Sequence, residues 1–345
     1  MPGTDQPGKR GDGETTRTIL TALAADLLIA AAKVAGGVIA GSPALLSEGA
    51  HSVADSCNQV FLLTALHRSR RRPDRGHPFG YGKERYFWSM LAAVGIFVTG
   101  GCFSFYQGVQ TLRRPEALTG SGFVVSAAVL GFALLAEGTS LVRAVLQVAR
   151  EARRTGRSLR RALRGVEDPT VRTVLAEDST AVLGVLFAAV GVVGHRLSGS
   201  AAWEAAGALA IGALLVYVAY RLGRTAKDLL IGVAVDPALQ HRAYRMLSEQ
   251  PEIDAVTSLM TMRLGPGSAL LAARVDLEAG LESEAVERAC VRVKKELAER
   301  CPEFAEIFLD ITDAGREERA QGRRMGEELR RFGGSGPEDP PKRLS

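Results

Sequence analysis

The chain has 345 residues, 46% hydrophobic and 23% charged, with a net charge of +5 and a mean hydropathy of only +0.06. Those averages describe a soluble protein, but the charge is so unevenly spread that an ordinary soluble fold is excluded: residues 19–66, 86–149 and 171–220 are nearly free of it, while 67–85, 150–168 and 221–345 are dense in Arg, Glu and Asp. Four cysteines without CxxC spacing (Cys57, Cys102, Cys290, Cys301) argue against a disulfide scaffold and a zinc finger, and the basic residues flank apolar runs, which assigns them to membrane topology rather than to nucleic acid.

A helix needs about 20 apolar residues to cross ~30 Å of hydrocarbon. Six stretches qualify, at 19–40, 44–66, 86–112, 121–149, 171–195 and 202–222. They predict a six-helix transmembrane bundle over 18–230. A polar stretch, 1–17, precedes it; it has no apolar core or small-residue cleavage site of a signal peptide and reads as a flexible tail.

The connections differ sharply in charge. The second carries Arg68, Arg70, Arg71, Arg72, Arg75, Lys83 and Arg85; the fourth carries Arg150, Arg153, Arg154, Arg157, Arg160, Arg161 and Arg164. The first (Gly41-Ser42-Pro43), third and fifth hold almost none. Positive charge marks the cytoplasmic side, so the second and fourth connections and both termini are expected there.

Beyond span six the pattern becomes that of a small soluble domain, 231–313. Asp236-Pro237 opens a helix over 237–250. Residues 254–263 and 268–277 alternate around Gly265-Pro266-Gly267 as a hairpin. A helix with apolar positions Ala285, Val286, Ala289, Val293 and Leu297 follows, then a last strand at 304–312. This order predicts a cytoplasmic α+β domain of ferredoxin-like type. The charged, then Gly- and Pro-rich, residues 314–345 are expected to be disordered.

Polar groups at bilayer depth are expensive, and each needs a reason. Glu48, His51 and Asp55 of span two share one helical face at spacings of three and four. An imidazole and a carboxylate one turn apart suit zinc, and also cobalt, nickel or iron(II). The bland alternative is a histidine–aspartate hydrogen bond that ties the bundle together. One helix cannot complete a shell, so span five is expected to contribute through Glu177 or Asp178. These diverge by about 100°, so only one is expected to face a given site, with Thr180 on the Glu177 face. Asp26 and Lys33 in span one form either a polar lining or a structural pair, and Glu137 in span four reads similarly. Cys57 is a possible soft ligand or an inert thiol. His67, His195 and His241 read as surface residues.

Several stretches together resemble the cation diffusion facilitators, over about residues 18–312. GSPALLSEGAHSVADS is similar to that family's first-to-second-span signature, with His51 and Asp55 on its metal-binding pair, and HPFGYGKERYFW (77–88) to its second connection. The family's fifth-span HxxxD is missing: DPTVRTVLAEDSTAVLG places Thr180 and Gly184 there, as in a divergent branch reading Glu-Asp. The resemblance implies a homodimeric antiporter that exchanges a divalent metal for protons, and the Ala-, Arg- and Gly-rich composition points to a bacterial cell membrane. Zinc is the first expectation, and manganese, iron(II) or cobalt the alternatives. The metal is the cargo; no cofactor and no enzymatic activity are implied. A non-transporting protein that senses metal or binds a partner on the same scaffold is the rival.

Overall fold

The computed structural model describes residues 9–154 and 169–333. Its helices, in chain order, are α1 (Lys9–Ala40), α2 (Pro43–Ser69), α3 (Glu84–Arg113), α4 (Gly120–Arg154), α5 (Pro169–Ser198) and α6 (Ala202–Ile231). α7 (Pro237–Ser248), β1 (Ile253–Gly265), β2 (Ser268–Leu277), α8 (Ser283–Arg300), β3 (Phe304–Thr312) and α9 (Arg316–Gly333) follow. Five of the first six helices contain windows long and apolar enough to cross a membrane. The exception is α2, 27 residues long, whose apolarity is diluted by the polar residues that make it interesting. Large apolar side chains such as Leu28, Ile39, Leu135 and Leu197 point outward, as lipid contact requires. This is a multi-pass membrane protein.

The chain divides into two compact units, Met1–Thr64 with Trp88–Thr225, and Ala65–Phe87 with Ala226–Ser345. In the first, Leu45 and Ala54 of α2, Leu130 and Ala133 of α4, Val185 and Val192 of α5, and Ile211 and Leu215 of α6 form one buried core. Without a hydrophobic drive between spans, close helix approach depends on small residues. α3 and α6 meet in this way: a Cβ on Gly100 would lie 2.7 Å from Leu215, and one on Gly108 would lie 2.6 Å from Leu209. α3 loosens into a π-helical stretch, Ile96–Cys102, across this seam.

The second unit follows its periodicities. Asp236 caps α7 by accepting from the Ala238 N–H at 2.9 Å, with Pro237 in the first turn. β1 pairs antiparallel with β2, and β2 pairs parallel with β3 through the α8 crossover, giving the sheet order β1-β2-β3. Ala269, Leu271, Ala273 and Val275 alternate into the core against Leu247, Val293, Leu297 and Phe304. The predicted helix–strand–strand–helix–strand order is the one observed.

The tails differ from expectation. α1 begins at Lys9, inside the stretch read as a flexible tail. α9 occupies most of the segment read as disordered, because charge dominates its average while Met325 and Leu329, one turn apart, reach the domain core. Residues 1–8 and 334–345, and the arginine-rich stretch 155–168, lie outside the described residues.

Candidate metal centre

α2 presents its polar side chains on one face: Glu48, His51 and Ser52, Asp55, then Asn58 and Gln59. The lower part of this stripe opens into a cavity of about 100 Å3. Asp55 lines it together with Asp26 of α1, Glu137 of α4, and Glu177 and Asp178 of α5. Five carboxylates from four helices therefore share one cavity. Each of three is held by a neutral neighbour: Asp26 by the Gln59 amide, Glu177 by Asn58 Nδ2 at 3.3 Å and Asp178 by Ser140 Oγ at 2.7 Å. Neutral donors steady these oxygens without cancelling their charge.

His51 sits beside the cavity rather than in its lining. It is 3% exposed, its Nε2 lies 3.5 Å from Asp55 Oδ2, and neither ring nitrogen is hydrogen-bonded. Above it Lys33, wholly buried, donates to Glu48 Oε1 at 3.0 Å, to Ser52 Oγ at 2.9 Å and to Glu137 Oε1 at 2.6 Å. An ammonium has three protons, and here all three are used. One cation thus holds two carboxylates, while Glu48 Oε2 and Glu137 Oε2 remain buried without a partner.

Asp26, Asp55, Glu177 and Asp178 of the predicted set meet in one cavity, with adjacent Glu177 and Asp178 both reaching it. Glu48 is drawn to Lys33 instead. Thr180 turns its hydroxyl back onto the Ala176 carbonyl at 2.8 Å, and Cys57 lies outside the lining. Among the described residues, no three His, Cys, Asp or Glu side chains converge closely enough to hold a metal ion. Asn58 and Gln59 escaped the sequence reading although they continue the stripe of Asp55 by three and four residues; Ser140 gave no signal. His195, read as a surface residue, is buried and lies 2.7 Å from the Glu204 carboxylate.

The family of the cation efflux transmembrane domain matches residues 19–231, from within α1 to the end of α6. The chain belongs to the cation diffusion facilitators. Metal tolerance protein C4 of Arabidopsis thaliana is 34% identical over 265 residues, 77% of this chain and 58% of that protein. Proton-coupled zinc antiporter SLC30A9, mitochondrial, of Homo sapiens is 32% identical over 241 residues, 70% of this chain and 42% of that protein. The manganese efflux system protein MneP of Bacillus subtilis is 37% identical over 82 residues, 24% of this chain and 27% of that protein. The chain thus spans about half the length of the first two relatives.

Proposed function

We propose that this facilitator exports a divalent metal ion from the cytoplasm in exchange for protons, with zinc as its first cargo. The observation that carries the reading is the shared cavity: Asp55, Glu177 and Asp178 line it, and His51 stands 3.5 Å from Asp55. Coordination requires ionised carboxylates and a neutral imidazole, so metal and protons compete for the same groups. Metal loading on one side displaces protons, and protonation on the other expels metal as the bundle rocks around the site. The basic second connection supports a cytoplasmic placement of both termini. The cell membrane and a homodimer complete the proposal.

A harder ion is the second reading, and one feature favours it. The cavity lining offers carboxylate, amide and hydroxyl oxygens, while His51 stands behind it; oxygen-rich shells suit manganese and iron(II). The test is purified protein in liposomes enclosing a metal-responsive dye, under an imposed pH gradient. Zinc-dependent signal that collapses with Asp55→Ala supports the reading. Absence of flux for zinc, manganese, iron(II) and cobalt alike rejects it in favour of a non-transporting scaffold.

A further inference from the structure

A second buried polar cluster lies at the opposite end of the bundle. Ser42, in the turn between α1 and α2, donates to Glu204 Oε2 of α6 at 2.5 Å, and His195 Nδ1 of α5 lies 2.7 Å from Glu204 Oε1. The three residues are 0%, 1% and 5% exposed. Asp55 lies thirteen positions beyond Ser42 on α2, about 20 Å at 1.5 Å per residue, so this cluster is distinct from the carboxylate cavity. Glu204 and His195 also line a cavity of about 300 Å3 with Leu46, Tyr106, Arg114 and Glu116.

Ala44, two residues past Ser42, packs against the Gly191 and Gly207 backbones of α5 and α6, so the helices are held by apolar contact just below the turn. Gly41, at φ +61, turns the chain sharply between α1 and α2, and the Ser42 hydroxyl gives that turn a polar tie to α6. The charges facing the cluster can be counted. Arg114, just past α3, and Glu116, in the following connection, are exposed side chains of opposite sign. The Tyr106 hydroxyl of α3 accepts from Gln110, and Arg196 of α5 is stacked over the Phe123 ring of α4 at 5.7 Å. Glu204 is therefore left to His195 for balance. With a neutral imidazole and an ionised carboxylate the pair carries one buried negative charge; one added proton brings it to zero. An uncompensated buried charge draws in water or separates the helices around it.

We propose that His195 and Glu204 form a proton-binding site at the mouth opposite the carboxylate cavity, and that its occupancy controls the Ser42–Glu204 link closing that mouth. The proposal rests on the exporter reading, for which it supplies a proton station that is not a metal ligand. Protonated, the pair is neutral and the mouth stays shut. Deprotonated, the charge hydrates and the α1–α2 turn separates from α6.

The test needs no metal. In a Cys57→Ser, Cys102→Ser background reconstituted in liposomes, maleimide labelling of Leu46→Cys, in the cavity wall, is compared with Ser200→Cys, exposed at the same end. The ratio cancels the common rise of thiol reactivity with pH. It is expected to rise several-fold between pH 5.5 and 8, and to become flat with either Glu204→Gln or His195→Gln, so that one folded variant suffices. A flat ratio with His195 and Glu204 intact, or an unchanged rise in the variants, overturns the proposal. Absence of metal flux in the dye assay rejects the exporter reading without altering this result.

Discussion

The fully buried carboxylate of Glu48 lies directly against Gly184, one helix away, where any side chain carbon would overlap its Oε2. Gly184 is one of the two fifth-span positions onto which the family resemblance places the HxxxD pair. The volume that a fifth-span side chain would fill is taken by a carboxylate from the second span. Gly184→Ala is therefore expected to force Glu48 off its Lys33 contact and to cost about 1–3 kcal/mol, the range for overpacking a core. Gly184→Asp alone should be worse. Coupling it to Glu48→Ala should recover part of the loss, because the double variant exchanges which helix supplies the oxygen. Thermal unfolding in detergent compares the three.

Lys33 carries a larger load. It is the shared partner of Glu48 and Glu137, and Lys33→Met would leave the buried Glu48 and the partly buried Glu137 carboxylates without their cation. Breaking a buried ion pair by removing one partner costs about 3–5 kcal/mol. The expected result is a marked loss of thermal stability, with partial recovery when Glu48→Gln and Glu137→Gln are added. If Lys33→Met alone were as stable as the native chain, the ion cluster would have no structural weight.

Glu177 and Asp178 differ in how firmly they are held. Ser140 donates to Asp178 at 2.7 Å, whereas Asn58 reaches Glu177 only at 3.3 Å. The looser carboxylate is the freer to turn toward an ion beside Asp55. Glu177→Gln is expected to lower metal flux by roughly 10–100-fold, the usual effect of weakening a metal shell, and Asp178→Asn by less. The reverse ranking in the liposome assay would transfer the ligand role to Asp178.

The second connection gives a prediction outside the membrane. Asp74 accepts from the Gly76 and His77 N–H groups at 2.9 and 2.8 Å and from the Tyr81 hydroxyl at 2.6 Å. The Tyr81 hydrogen bond first, then the backbone donors, hold its carboxyl below the ordinary range, and the same Asp74 hydrogen bond pushes the Tyr81 hydroxyl up. The loop's contribution is therefore fully present above the ordinary carboxylate range and fades only as pH falls through the lowered value. Gly82 then backs onto the Leu264 carbonyl of the hairpin, where a Cβ would come within 2.6 Å. Asp74→Ala and Gly82→Ala should each loosen this turn, seen as faster tryptic cleavage along Arg70 to Arg75 at neutral pH.

Most of the architecture was legible because burial periodicity survives in one dimension. Ala269, Leu271, Ala273 and Val275 alternate, and Glu48, His51 and Asp55 repeat at three and four. Spacing could not indicate partners set by tertiary approach. Nothing in the sequence joins Ser42 to Glu204, 162 residues away, and His195 at a span end has the composition of a surface residue. Lys33 and Glu137 were recognisable as polar residues in apolar helices, but their sharing of one ammonium was not. The same averaging of composition that obscured the spans in the whole-chain hydropathy also hid α9, whose arginines outvote the few apolar side chains that pack.

α9 is fastened by charge as well as by those apolar contacts. Arg319 places Nη1 2.5 Å from Asp254 Oδ2 and Nη2 2.6 Å from Asp276 Oδ2, the latter an ion-pair contact not aligned as a hydrogen bond. Asp276 is 3% exposed on β2, while the guanidinium is partly in solvent. Arg319→Ala leaves the Asp276 carboxylate buried without its cation, and a cost of about 1–3 kcal/mol is expected, less than for a fully buried pair because water reaches the arginine side. Asp276→Asn in the same chain should return much of that loss, since the amide carries no charge to compensate. Arg319→Lys should return less, because a compact ammonium lacks the fixed planar fork whose two separate nitrogens here meet Asp254 and Asp276. Thermal unfolding of the full chain with the three variants separates these outcomes: equal stability of Arg319→Ala and the native protein would mean that α9 is held by its apolar face alone.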